Sequence, residues 1–216
     1  IMFMILNISK GKNFYDQAVR NGKFESIMHM KNNNNFELSN KKILIVGFGR
    51  IGRKLIKRCL GFEMKVYAYD PFVDNRIIES FGGIKVDDLN KSLKEIDILS
   101  LSVPLTEKTH NMINLEKMKI MKKNAIIINI SRGGVVNERD LNEALNNKII
   151  YGAGLDVFEK EPPTNANPLL TNENVLLSPH AATFTEECLS KMSIETVQNI
   201  INFFENKLDK SMIIKL

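Results

Sequence analysis

Apolar and polar positions divide the chain into two regimes. From residue 42 to residue 178, short apolar runs alternate with stretches in which apolar side chains recur every three or four positions. The runs predict strands at 42–47, 64–69, 84–86, 96–103, 125–130, 151–157 and 174–178. The helical stretches predict helices at 50–60, 74–81, 88–95, 114–121 and 137–147, and a long one at 184–206 after a proline-rich loop. A run such as Ala125-Ile126-Ile127-Ile128 lacks in-and-out alternation, as expected of a strand covered on both faces. Strands separated by helices at this spacing predict an α/β fold built on a doubly wound parallel sheet. The first forty residues follow a different pattern. Residues 1–8 are apolar and read as the end of a packed helix, too short to span a bilayer and without a preceding basic segment. Residues 9–40 are polar and irregular, with Gly11, Gly22 and the run Asn32-Asn33-Asn34-Asn35, and read as a hinge-like connection.

The first strand runs directly into Gly47-Phe48-Gly49-Arg50-Ile51-Gly52, and the second ends at Asp70. Glycines at this spacing are weak evidence alone, but between a strand and a helix, with an acidic residue at the next strand end, they predict a dinucleotide turn. Gly47 permits the tight turn, Gly49 admits a pyrophosphate without a Cβ in the way, and Gly52 lets the helix approach the strand. The phosphates would rest on the helix N-terminus, with the Arg50 charge beside them and Ile51 between the glycines. Asp70 would accept from the ribose hydroxyls and repel a 2′-phosphate, which favours NAD over NADP.

Composition adds limits rather than chemistry. A chain of 216 residues with 44% hydrophobic content buries one domain with appendages. The net charge of +5 comes from lysines scattered along helix faces, without a basic block or aromatic platform, so no nucleic-acid partner is expected. Nor is a membrane partner expected. Cys59 and Cys188 form no CxxC or metal-ligand spacing, which fits buried or half-buried thiols in a reducing, cytoplasmic compartment, with no metal.

Ligands of doubly wound sheets bind beyond the carboxyl ends of the strands. There the chain places Arg132 after the fifth strand, Glu161 after the sixth and His180 after the seventh. Taken singly, each has a plainer use: a helix-capping arginine, a solvated loop carboxylate, a half-exposed histidine. Together they suit reduction of a 2-oxo acid. Arg132 grips the carboxylate, His180 protonates the carbonyl oxygen, and Glu161 orients the imidazole and favours its charged form. His29, in the polar connection, and His110, in a turn, have no such support.

The order of these segments resembles the D-isomer-specific 2-hydroxyacid dehydrogenase family over residues 36 to about 206. The resemblance rests on the glycine motif followed by Asp70-Pro71, on Val103-Pro104-Leu105-Thr106 with Thr109, on Arg132-Gly133 after Asn129, on Asp156-Val157-Phe158 leading to Glu161-Pro162, and on Pro179-His180. It implies that Arg132, Glu161 and His180 are catalytic, the role falling to Glu161 and not Glu159. It further implies that Val103, Pro104, Thr109, Ile130, Ser131, Asp156 and Ala182 join the glycine turn, Asp70, Pro71, Arg132 and His180 in lining the NAD site, and that a homodimer forms through the nucleotide domain.

The resemblance divides the chain into residues 1–36, a remnant of a substrate domain and connecting helix, 37–182, the NAD-binding Rossmann domain, and 183–216, a helix returning toward that substrate domain. Most of the companion domain is then absent, and a chain opening on Ile1 reads as a fragment. Such a fragment is expected to bind NAD but turn over poorly or not at all, and to leave apolar surface uncovered on residues 1–8 and the last helix. A phosphoglycerate-type substrate is favoured, with glyoxylate or hydroxypyruvate reduction as the alternative. From another class, an NAD-sensing binding module without turnover is the competing reading.

Overall fold

Lys42–Val46 (β1), Lys65–Tyr69 (β2), Ile84–Lys85 (β3), Ile98–Leu101 (β4), Ile126–Asn129 (β5), Gly152–Leu155 (β6) and Val175–Leu177 (β7) form one parallel sheet in this computed structural model. The structure describes residues 1–24 and 35–209. The strand order is β3-β2-β1-β4-β5-β6-β7, so the winding direction reverses between β1 and β4, where an open α/β sheet forms its ligand crevice. The parallel register aligns Val46 with Leu101, Leu101 with Asn129, Asn129 with Leu155 and Leu155 with Leu177. The carboxyl tips of five strands therefore line a single rim.

Both faces of the sheet are covered, which explains the unbroken apolar runs. Leu44, Val46, Leu99, Leu101 and Ile127 pack on one side with Met118, Leu141 and Leu145. Ile43, Ile45, Ile98, Ile126 and Ile128 pack on the other with Leu55, Ile56 and Ile78. Each such side chain taken from water contributes about 1.5–3 kcal/mol.

Among the described residues the α-helices are α1 (Met2–Lys10), α2 (Lys12–Arg20), α3 (Arg50–Gly61), α4 (Asn75–Ser80), α5 (Leu89–Leu93), α6 (Leu115–Lys119), α7 (Glu138–Asn146) and α8 (Glu186–Phe204). Five begin where a short polar side chain takes up a first-turn N–H: Asp74, Asp88, Asn114, Asn137 and Thr185. Burial at Cys59 pushes its thiol up to about 12, so it behaves as an inert core side chain, while Cys188 is half-buried.

Two expectations for the N-terminal region change. Residues 9–40 are not irregular throughout, because Lys12–Arg20 is helical. It is short and set between Gly11 and Gly22, and it carries one Arg20–Asp16 pair at 2.8 Å while burying Ala18. Residues 1–8 are also better covered than expected, since Met4 and Ile5 are buried in the core shared with Ile126 and Ile128. The stretch 25–34, with His29 and Asn32–Asn34, lies outside the described residues.

Contacts divide the chain into Ile1–His180 and Ala181–Leu216. Described by itself, α8 exposes Leu189, Ile194, Val197, Ile200, Phe203 and Phe204. Among the described residues, no helix is long and apolar enough to cross a membrane.

Candidate functional site

The turn after β1 is shaped by close approach. Gly47 sits at φ +92°, and a Cβ there would stand 2.5 Å from the Ser102 carbonyl oxygen, so the turn is reserved for glycine. A Cβ at Gly52 would stand 2.5 Å from the Gly47 carbonyl oxygen, which is how α3 packs so near the strand. At Gly49 the situation is reversed: nothing lies within 4 Å of a Cβ. Gly49 is the N-cap of α3, which has no side-chain cap, so its first-turn N–H groups are left for an anion. Arg50 and Ile51 are exposed on the same turn. Asp70 accepts from the Phe48 N–H at 2.8 Å and the Phe72 N–H at 2.9 Å, fixing its carboxylate beside the glycine turn. The residues present therefore fit an adenosine diphosphate.

Further along the rim, His180 and Glu161 meet. The imidazole Nδ1 lies 2.7 Å from Glu161 Oε2, while Glu161 Oε1 accepts from the Phe158 N–H at 3.0 Å. The hydrogen bond with His180, followed by the one from Phe158, holds the Glu161 carboxyl below the usual carboxylate range. His180 adopts φ +54°, a left-handed conformation uncommon outside glycine and held here by its surroundings. With Nδ1 engaged, Nε2 is the nitrogen presented for proton exchange.

Arg132 follows the tip of β5 and is exposed, its guanidinium donating to the Ser131 carbonyl at 2.6 Å. Its loop lies against the one carrying Glu161, since a Cβ on Gly133 would stand 1.8 Å from the Phe158 carbonyl oxygen. The structure brings Glu161 and His180 into direct contact and places Arg132 one loop away.

The remaining expected residues divide by what their polar groups do. Val103 packs over the glycine turn, 2.9 Å from a Cβ built at Gly47. Thr109 accepts from the Thr106 N–H and donates to the Pro104 carbonyl at 2.6 Å, so its hydroxyl holds the turn together. Ser131 donates both N–H and hydroxyl to the Asn129 side chain. Asp156, buried, accepts from the Ser178 hydroxyl at 2.5 Å. Pro71 is exposed after Asp70, and Ile130 packs partly buried beneath the rim. Ala182 belongs to the second unit, and His110 is exposed near Gly134.

Sequence reasoning missed Asn129 and Ser178 as site residues. Asn129 is 2% exposed and also donates to the Arg132 carbonyl at 3.0 Å, so one buried amide shapes the arginine loop. A polar residue closing an otherwise all-isoleucine strand was the available signal. A separate cavity of about 370 Å³, lined by Lys42, Tyr67, Val86, Lys91, Glu95 and Ile96, includes the amino end of β1 rather than this rim.

Residues 2–182 match the family model described as D-isomer specific 2-hydroxyacid dehydrogenase, NAD binding domain. The chain is 41% identical over 177 residues to a D-3-phosphoglycerate dehydrogenase of Methanocaldococcus jannaschii, covering 82% of this chain and 34% of that protein. It is 39% identical over 198 residues to a glyoxylate reductase of Korarchaeum cryptofilum, covering 92% of this chain and 59% of the relative. Among solved structures, D-lactate dehydrogenase from Aquifex aeolicus complexed with NAD and lactic acid superposes with a TM-score of 0.84 at 30% identity, over 95% of this chain and 65% of that one. The chain thus spans between a third and three fifths of these two curated relatives.

Proposed function

This chain belongs to the D-isomer specific 2-hydroxyacid dehydrogenase family, and on that premise we propose that it is the nucleotide-binding part of an NAD-dependent dehydrogenase interconverting a 2-hydroxy acid and its 2-oxo partner. The observation that carries the proposal is the 2.7 Å contact between Glu161 and His180 on the rim that also bears the glycine turn. A bound nicotinamide supplies hydride exchange at C2 of the acid. Arg132 offers a planar cation to the substrate carboxylate and so sets which carbon faces the cofactor. In the reduction direction His180 gives the Nε2 proton to the developing alkoxide, while Glu161 holds the imidazole by Nδ1. In oxidation His180 takes the hydroxyl proton back. The glycine turn and the uncapped α3 end hold the diphosphate, and Asp70 the ribose, with a preference for NAD.

Relatives named both D-3-phosphoglycerate dehydrogenase and glyoxylate reductase support the 2-oxo acid class. Within it the reading taken is the phosphoglycerate type, with glyoxylate or hydroxypyruvate as the alternative. By the same family resemblance, the nucleotide domain is read as the homodimer contact. Oxidation of NADH by a panel of 2-oxo acids, with the protein in excess, tests the proposal. Consumption by one or more acids supports it. Tight NADH binding with no consumption by any acid, in a protein that also carries the companion substrate domain, favours an NAD-sensing module instead.

A further inference from the structure

We propose that Glu138 and Glu159 form a reciprocal latch that holds the loop bearing Glu161 against the loop bearing Arg132, making both glutamates positioning residues for the acid–base pair. The inference rests on the dehydrogenase reading of that pair. The Glu159 N–H donates to Glu138 Oε1 at 2.6 Å, and the Glu138 N–H donates back to Glu159 Oε1 at 3.0 Å. Glu138 opens α7, so its N–H is one of the donors left without an intrahelical partner, and the carboxylate that takes it up comes from another loop.

The arrangement matters because the chain has no helix or strand between Leu155 and Pro168, so nothing regular fixes where Glu161 points. Besides the contact of Glu161 with His180, three interactions act within three positions of Glu161 to hold its loop. Gly133 abuts Phe158, the Phe158 N–H bonds Glu161, and the Glu159 N–H bonds Glu138. Glu138 is itself anchored, its second oxygen accepting from the Asn167 side chain at 2.7 Å, while Asn167 accepts from the Leu169 N–H at 3.0 Å. The latch therefore ties the end of the arginine loop, the glutamate loop and the turn leading to β7 into one unit. Holding two carboxylates together is not a neutral choice. Burial, with the Glu159 charge adding to it, raises the Glu138 carboxyl, against the opposing hydrogen bonds from Glu159 and Asn167. What the tie sets is geometry: a displacement on the order of 1 Å at reacting groups costs about a hundredfold in rate.

The test uses Glu138→Ala, Glu159→Ala, the double variant, and Glu159→Gln, which keeps the acceptor oxygen. The first readout is the titration of the Glu161 carboxyl by carbon NMR, assigned by its absence in Glu161→Gln. With the latch cut, the Phe158 N–H is released and Glu161 titrates nearer its ordinary value, whereas Glu159→Gln leaves it at the parent position. The second readout is NADH-dependent reduction of a 2-oxo acid: each alanine variant loses about tenfold or more in kcat with NADH affinity within about twofold, and the double variant loses no more than the worse single one. An unmoved Glu161 titration in both alanine variants, or losses that multiply in the double variant, overturns the latch. The titration needs no turnover, so the latch stands or falls separately from the dehydrogenase reading.

Discussion

Asp70 and Phe48 are joined by a hydrogen bond of 2.8 Å from the Phe48 N–H to the carboxylate, inside the glycine turn itself. One side chain thus stiffens the glycine turn, and in the proposed cofactor site it would accept from the adenosine ribose. Asp70→Ala is expected to weaken NADH binding about tenfold to a hundredfold, the range for a charged hydrogen-bond acceptor, and to narrow the preference for NADH over NADPH. Fluorescence titration with both cofactors measures it.

Gly49 and Gly52 separate cofactor binding from folding. Open space surrounds a Cβ at Gly49, but one at Gly52 meets backbone at 2.5 Å. Gly49→Ala is expected to leave the thermal midpoint near that of the parent and abolish NADH binding. Gly52→Ala is expected to destabilise the fold itself by about 2 kcal/mol or more, because a backbone atom must move. Thermal melts with and without NADH distinguish the two.

Asn129→Ala removes the acceptor for the Ser131 N–H and hydroxyl and the donor to the Arg132 carbonyl. The expected cost is about 1–3 kcal/mol of stability, together with a raised KM for the acid as Arg132 loses its fixed position. Denaturant titration and steady-state kinetics report the two effects.

The sheet was legible because continuous Ile-rich runs have one physical solution, a strand buried on both faces, and Ile126, Ile127 and Ile128 occupy it. Strand ends then placed Glu161 and His180 on one rim. The choice of Glu161 over Glu159 came from family resemblance, and the structure gives the two different partners, His180 and Glu138. What stayed hidden is non-local: Asn129 shaping the arginine loop, Ser178 holding Asp156, and the glutamate latch all depend on loops meeting from distant parts of the chain. Helix α2 stayed hidden because it is only nine residues long and set between Gly11 and Gly22, although Phe14, Tyr15, Ala18 and Val19 recur at helical spacing.

The Glu161–His180 contact predicts a pH signature. The imidazole, then the Phe158 N–H, hold Glu161 below its ordinary value of 4.5, so what the ionised carboxylate adds to stability is present above that value and lost as pH falls through the lower folded value. Because both side chains are substantially exposed, the contribution is small. The difference in thermal midpoint between parent and Glu161→Gln is expected to shrink to nothing across that acidic window, which melts at a series of pH values will show.

The most direct test is single-turnover oxidation of bound NADH by a 2-oxo acid, followed by absorbance in the parent and in His180→Gln. The account predicts oxidation by the parent, and its loss in the variant, with NADH affinity preserved. Equal oxidation rates in the two proteins would contradict it.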